Sequence, residues 1–265
     1  MRIVRYLDAT GTHHGCEHPD GSITRLSGDI TSFTDTGEPV TPTKILAPIE
    51  PRAIIGIGLN YRGHAKETGL DLPESPIVFM KNPAAVQNPG DPIVIPTSCT
   101  REPEVDYECE LAVIIGTPAR NVSPEDALSH VLGYTAANDV SARRWQKRGG
   151  AGQWIRGKSF DTFCPLGPAI VTTDEIPDPQ TLHISTTLNG KRLQDSHTSD
   201  MIFPVSRLIS ELSCDMTLLP GTVILTGTPE GVGFVREPPI FLKAGDTVTV
   251  ELERVGTLTN PVTGA

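Results

Sequence analysis

The most constraining stretch of the chain is Val105-Asp106-Tyr107-Glu108-Cys109-Glu110-Leu111-Ala112-Val113-Ile114-Ile115-Gly116, where three carboxylates stand at every second position before an apolar run. A two-residue period is the period of a β-strand. Glu108 and Glu110 then share a face, with Asp106 behind them, while Tyr107, Cys109 and Leu111 turn into the opposite layer. Two ionised carboxylates ~5–7 Å apart on a largely buried strand repel each other, and desolvation adds several kcal/mol unless a cation or donors compensate. A hard divalent metal is the simplest compensation. The other reading of the same spacing is an edge strand whose charged face looks at water.

A chain of 265 residues is long enough for one large domain with a small appendage, and its core needs no disulfide support. The five cysteines, Cys16, Cys99, Cys109, Cys164 and Cys214, follow no metal or disulfide spacing and read as reduced thiols. The first eight residues lack the apolar run of a signal peptide, and nowhere do eighteen apolar residues follow one another, so a soluble, cytoplasmic protein is expected. A net charge of −10 argues against nucleic acid and anionic membrane as partners, which leaves a small molecule. With 24 prolines and 25 glycines, the chain should be rich in turns and short strands.

Residues 1–45 read as hairpins of a small N-terminal β subdomain, set off by Pro42, Pro48 and Pro51 from a larger domain over 46–265. In the latter, 53–58 is a short buried strand, followed by a loop and one or two helical turns that carry His64 and Glu67 on one face. Residues 77–81 form a strand ending in a lysine. Ser123-Pro124-Glu125-Asp126 has the cap, proline and acids of a helix start, which predicts a helix over 124–132. A strand over 133–140 follows and delivers Asp139, then a short helix over 141–147, and Gly149-Gly150-Ala151-Gly152 suits a loop closing over substrate. The β pattern continues through 154–158 and 169–171. Asn189-Gly190 is a two-residue hairpin turn between 182–188 and a return strand from Lys191. An amphipathic helix is expected over 204–212, a strand over 223–225 opening into a glycine-rich turn, and a last strand over 246–253.

Glu108, Glu110 and Asp139 make an all-oxygen set from two strand-like segments, suited to Mg²⁺, Mn²⁺ or Ca²⁺ better than to zinc. His64 beside Glu67 is the pattern of an imidazole oriented by a carboxylate and able to activate water; its plain alternative is a surface helix. Lys158, between Gly157 and Ser159, is either a buried ammonium paired with acids or a surface lysine. The turn Gly227-Thr228-Pro229-Glu230-Gly231 can offer backbone amides and the Thr228 hydroxyl to an anion, but it lacks the Gly-Lys-Ser/Thr of a nucleotide loop. His13, His14 and His18 could bind a metal, but in a polar, glycine-rich hairpin they read as surface residues.

Five motifs occur in order: Asn60-Tyr61 through His64 and Glu67; Glu108-x-Glu110; Asn138-Asp139-Val140-Ser141-Ala142-Arg143; Gly157-Lys158-Ser159-Phe160-Asp161 onward to Pro168; and Leu225-Thr226-Gly227-Thr228-Pro229-Glu230-Gly231-Val232-Gly233. Together they resemble the fumarylacetoacetate hydrolase family over about 45–262, within it the branch of domain-containing protein 2 and its bacterial relatives. The resemblance implies an α+β fold, a mixed β-sheet rolled on itself with few short helices, usually as a homodimer with Mg²⁺ or Mn²⁺ at the strand ends. It implies Glu108, Glu110 and Asp139 as metal ligands, His64 and Glu67 as the water-activating pair, and Lys158 as the site lysine. Thr228 falls at the substrate-carboxylate contact, and Arg143 and Gln146 where substrate-binding residues lie. Asp106 matches an acidic position whose role stays open.

The expected activity is metal-dependent chemistry on a 2-oxo or 2,4-dioxo acid through an enolate at the pyruvoyl end. Because His64 and Glu67 are present, C–C hydrolysis of an acylpyruvate-type 2,4-dioxo acid stands first. Oxaloacetate tautomerisation or decarboxylation follows, then isomerisation of a 2-hydroxyhepta-2,4-diene-1,7-dioate-type diacid. A non-catalytic metal-binding protein on the same fold is the remote alternative, opposed by the presence of all three catalytic candidates.

Overall fold

In the computed structural model, which describes residues 1–147 and 152–265, the chain is built mainly from strands with a few short helices. Twelve of the described strands form one mixed sheet, whose main path runs Ser32–Val40, Ile23–Asp29, Gly11–Glu17, Arg2–Asp8, Cys164–Thr172, Val131–Asn138, Cys109–Ile115, Thr222–Leu225, Ala53–Gly58, Ile77–Lys81. The neighbours are antiparallel except Thr222–Leu225 against Ala53–Gly58. The N-terminal hairpins extend this sheet through the register pair Arg2↔Val171. A five-stranded sheet, Lys191–His197, His183–Leu188, Thr247–Leu252, Gly256–Gly264 and Ile93–Ile95, packs against it.

The strand Cys109–Ile115 sits in the middle of the large sheet, with every residue buried. Leu111, Val113 and Ile115 join the core between the two sheets, with Ile184, Val250 and Leu258, under the helix Val205–Ser213. Ala112 and Ile114 face the other way, onto Ile3, Ile54 and Leu166. Burial on both faces is why the run reads as continuously apolar. The face of Ala112 and Ile114 is also that of Glu110, so the polar site opens where a core face runs past its last apolar residue. Asn189 and Gly190, at φ 51° and 81°, make the expected hairpin turn.

Two elements depart from the sequence reading. The predicted helix over 124–132 shrinks to a 3₁₀ turn, Ala127–His130, because Val131 and Leu132 are drawn into the sheet and Val131 pairs with Ile115. The stretch read as β over 154–158 is a helical turn, Trp154–Lys158. Its Gly157 presses on the preceding short helix Arg143–Gln146 so closely that a Cβ would lie 2.5 Å from the Gln146 nitrogen. Of the glycine run expected to close over substrate, Gly149, Gly150 and Ala151 lie outside the described residues. All five cysteines are free thiols, and among the described residues no helix is long and apolar enough to cross a membrane.

Candidate active site

Glu108 and Glu110 flank Cys109 at the start of the central strand, and Asp139 follows the end of its partner strand Val131–Asn138, where the Cys109↔Asn138 register brings them level. One carboxylate oxygen from each of the three lies within 4.8 Å of the others, and all three side chains are buried. Asp106, first in the alternating series, does not join them. The strand breaks after Val105–Asp106, and Asp106 instead accepts the N–H groups of Tyr107, Gly233 and Phe234 and holds the Arg143 guanidinium at 2.7 Å. Its open role is therefore that of an anchor.

Lys158 is buried at 2 % exposure and aims into the carboxylates. Its Nζ donates to Asp139 Oδ2 at 2.6 Å, Glu108 Oε2 at 2.8 Å and Ser141 Oγ at 2.7 Å. Burial alone would lower its pKa, but Asp139 and Glu108 outweigh that and raise it. Lys81, 1 % exposed at the end of its edge strand, donates to Asp139 Oδ1. Nothing in its sequence context separated it from a surface lysine; its aim is set by the antiparallel register Ile54↔Lys81, which sequence spacing does not carry.

The three carboxylates are not in equal environments. Burial would raise Glu108, yet Lys158 and Arg143 more than offset it and hold the carboxyl down to about 2. Glu110 receives the Gly227 N–H at 2.6 Å, and among the described residues no cation lies within ion-pair distance of it. Burial first, then repulsion from Asp139 and Glu108, pushes its carboxyl well above the ordinary range. A buried carboxylate in that position needs either a proton or a further cation. Glu108, Glu110, Asp139 and Asp106 set four acids against Lys81, Lys158 and Arg143, so one negative charge is left over. An all-oxygen set with an uncompensated charge fits a hard divalent ion.

His64 and Glu67 come from the helix Arg62–Thr68, stopped by Gly69 in the left-handed region. Nδ1 of His64 is 2.6 Å from Glu67 Oε1, which leaves Nε2 for chemistry, and Glu67 Oε2 accepts the Gly231 N–H at 2.8 Å. Gly63 admits the Glu230 carboxylate where a Cβ would stand 2.2 Å from its oxygen. Arg143 and Gln146 share a face of one helical turn, with Nη1 donating to Gln146 Oε1 at 3.1 Å. Thr228 is buried, its hydroxyl accepting from Gln194 Nε2 at 2.8 Å. Gln194, which the sequence reading passed over, arrives from the second sheet and also receives the Cys109 N–H, so it ties that sheet to the central strand.

The glycine-rich turn differs from its expected use. Its Gly227 and Gly231 amides are spent on the protein's own carboxylates, Glu110 and Glu67, and just beyond it those of Gly233 and Phe234 on Asp106, rather than offered to a ligand anion. The Thr228 hydroxyl does reach a cavity of about 750 Å³ lined also by His64, Glu67, Glu108, Arg143, Gln146 and Lys158. Ile57, Leu59, Leu70, Ile77, Phe79 and Trp154 form its apolar wall, and Lys147 and Phe234 stand opposite, with the ammonium 4.6 Å from the ring. The cavity thus puts Glu108 of the carboxylate cradle, the buried Lys158 ammonium and an oriented imidazole within reach of one small molecule.

Residues 53–263 match the family model for the fumarylacetoacetate (FAA) hydrolase C-terminal domain. The chain is 50% identical over 242 residues to the fumarylacetoacetate hydrolase domain-containing protein 2 homolog of Dictyostelium discoideum, covering 88% of this chain and 78% of that one. It is 45% identical over 290 residues to the human protein named oxaloacetate tautomerase FAHD2A, mitochondrial, covering 99% and 91% of the two chains. Among solved structures, 2-hydroxyhepta-2,4-diene-1,7-dioate isomerase from Mycobacterium marinum superposes with a TM-score of 0.84 at 38% identity, covering 100% of this chain and 98% of that one. The chain belongs to the fumarylacetoacetate hydrolase family of enzymes.

Proposed function

We propose that the protein interconverts the keto and enol forms of oxaloacetate, with Mg²⁺ or Mn²⁺ held by Glu108, Glu110 and Asp139. The observation that carries this reading is the placement of Lys158, His64 and Glu108, the outermost carboxylate of the cradle, on one cavity. When bound, the divalent ion supplies Lewis-acid polarisation of the 2-oxo group. Tautomerisation is a net proton transfer between C3 and the C2 oxygen and consumes nothing else. His64, held by Glu67, takes or returns the C3 proton. Lys158 faces the negative charge that develops on the oxygen. Arg143, Gln146 and Thr228 orient the carboxylate groups, and Lys147 adds positive charge for a substrate with a second carboxylate, which favours a diacid over a neutral acyl tail. The name carried by the human relative, 45% identical along nearly the whole chain, supports placing tautomerisation ahead of the hydrolysis expected from the sequence.

Hydrolysis of a 2,4-dioxo acid is the second reading, and the 2.6 Å His64–Glu67 pair favours it, since that pair can also activate a water. The two separate in one experiment: purified, Mg²⁺-loaded protein is assayed for enol–keto exchange of oxaloacetate and for cleavage of acetylpyruvate, with His64→Ala alongside. Fast exchange that the histidine variant loses by ~10²-fold or more supports the tautomerase. Release of pyruvate and acetate with negligible exchange installs the hydrolase instead. The homodimer implied by the family is part of the proposal; the edge strand Ile77–Lys81, with Val78 and Met80 exposed, supports it, and sedimentation tests it.

A further inference from the structure

A second group of metal-ligating side chains stands on the N-terminal hairpins. Cys16, His18 and Asp35 each present one ligand atom, and the three atoms lie within 4.8 Å of one another. The β-ladders explain the meeting. Cys16 pairs with Thr24, and Leu26, two residues further along, pairs with Asp35. Cross-strand partners and residues two apart share a face, so Cys16, Thr24 and Asp35 lie on one side, with His18 two beyond Cys16. The other early histidines are elsewhere: His13 bonds Thr10, and His14 packs against Phe33.

We propose that Cys16, His18 and Asp35 form a site for a borderline transition-metal ion such as Zn²⁺, distinct from the oxygen-only cradle at Glu108, Glu110 and Asp139. His18 Nε2 and Asp35 Oδ2 are 3.7 Å apart, too far for a hydrogen bond and near the ~3.5 Å edge that two ligands span across a tetrahedral zinc. Sulfur, imidazole and carboxylate together select such an ion over Mg²⁺, and thiolate with carboxylate cancels its charge. Cys16 is buried while His18 and Asp35 are about one-third exposed, which leaves an entry path and a fourth position open to water. Without metal, the Thr24 hydroxyl occupies His18 Nε2 at 2.8 Å, so filling the site trades one neutral hydrogen bond for a metal–nitrogen bond. The Cys16 thiol proton leaves to solvent as the ion binds. The bound ion staples the first hairpin to the second.

The test uses the full-length protein, stripped with chelator, given saturating Mg²⁺ and titrated with Co²⁺ as the probe. The expected result is a thiolate-to-cobalt charge-transfer absorption that saturates at one equivalent, is displaced by Zn²⁺ and is absent in Cys16→Ser. His18→Ala and Asp35→Asn weaken Co²⁺ binding by at least ~10-fold, and turnover with Mg²⁺ is unchanged in all three variants. If Cys16→Ser does not fold, the two partly exposed positions carry the test alone. No charge-transfer absorption, absorption surviving in Cys16→Ser, or binding indifferent to both His18→Ala and Asp35→Asn overturns the proposal.

Discussion

The ammonium of Lys158 lies 2.6 Å from Oδ2 of Asp139 with both side chains buried, while Lys81 takes the other oxygen of the same carboxylate. One aspartate thus carries a cation on each arm. Breaking such a pair from one side leaves an uncompensated buried charge, which costs about 3–5 kcal/mol. Lys158→Met should therefore destabilise the metal-free protein by about that much and abolish turnover. Urea unfolding and the oxaloacetate assay check both; normal activity with unchanged stability would remove Lys158 from the site.

Glu110 gives the metal-free protein a pH dependence whose sign follows from its raised pKa. The folded state holds that proton more tightly than the unfolded chain does. The resulting stability is fully present below the ordinary carboxylate value and is lost as pH rises through the raised folded value. A divalent ion needs the ionised form, so the gain in Tm on adding Mg²⁺ should grow as pH rises across that window. Melting curves in EDTA and in Mg²⁺ across pH measure it, and a gain that is flat with pH would exclude Glu110 as a ligand.

Gly227 stands at φ +96°, and a Cβ there would lie 2.7 Å from Cβ of Asn60. Gly227→Ala should cost about 1–3 kcal/mol through strain and displace the N–H that Glu110 accepts. Mg²⁺ affinity should fall along with stability. Calorimetric titration of a variant that melts earlier but binds Mg²⁺ normally would show that the turn does not govern the cradle.

Gln194 does not line the cavity but holds two groups beside it, the Thr228 hydroxyl and the Cys109 N–H between Glu108 and Glu110. Gln194→Leu should raise KM for oxaloacetate several-fold more than it lowers kcat, because it loosens a substrate contact without touching the proton-transfer groups. A fall confined to kcat would assign Gln194 another role.

Much of the site was legible because strand periodicity is local. Glu108 and Glu110 share a face two residues apart, and His64 meets Glu67 within one helical turn. Lys81 and Gln194 were not legible: Lys81 is aimed by pairing opposite Ile54 on another strand, and Gln194, although it sits in the predicted hairpin opposite Thr186, owes its place to bonds with Cys109 and Thr228, far away in sequence. The helical turn Trp154–Lys158 was misread because its apolar residues suit a strand equally well; what decides is the contact of Gly157 with Gln146, which belongs to the fold and not to the segment.

The turn from Gly227 to Phe234 grips Glu110, Glu67 and Asp106 at once. A shift of that one loop would detune ion affinity, imidazole orientation and the Arg143 anchor together, so it offers almost no room for stepwise change. The apolar wall of Leu59, Leu70, Ile77 and Trp154 has no share in those hydrogen bonds. New substrates are therefore to be sought by redesigning that wall, where side chains can be exchanged one at a time while the reacting groups stay in register.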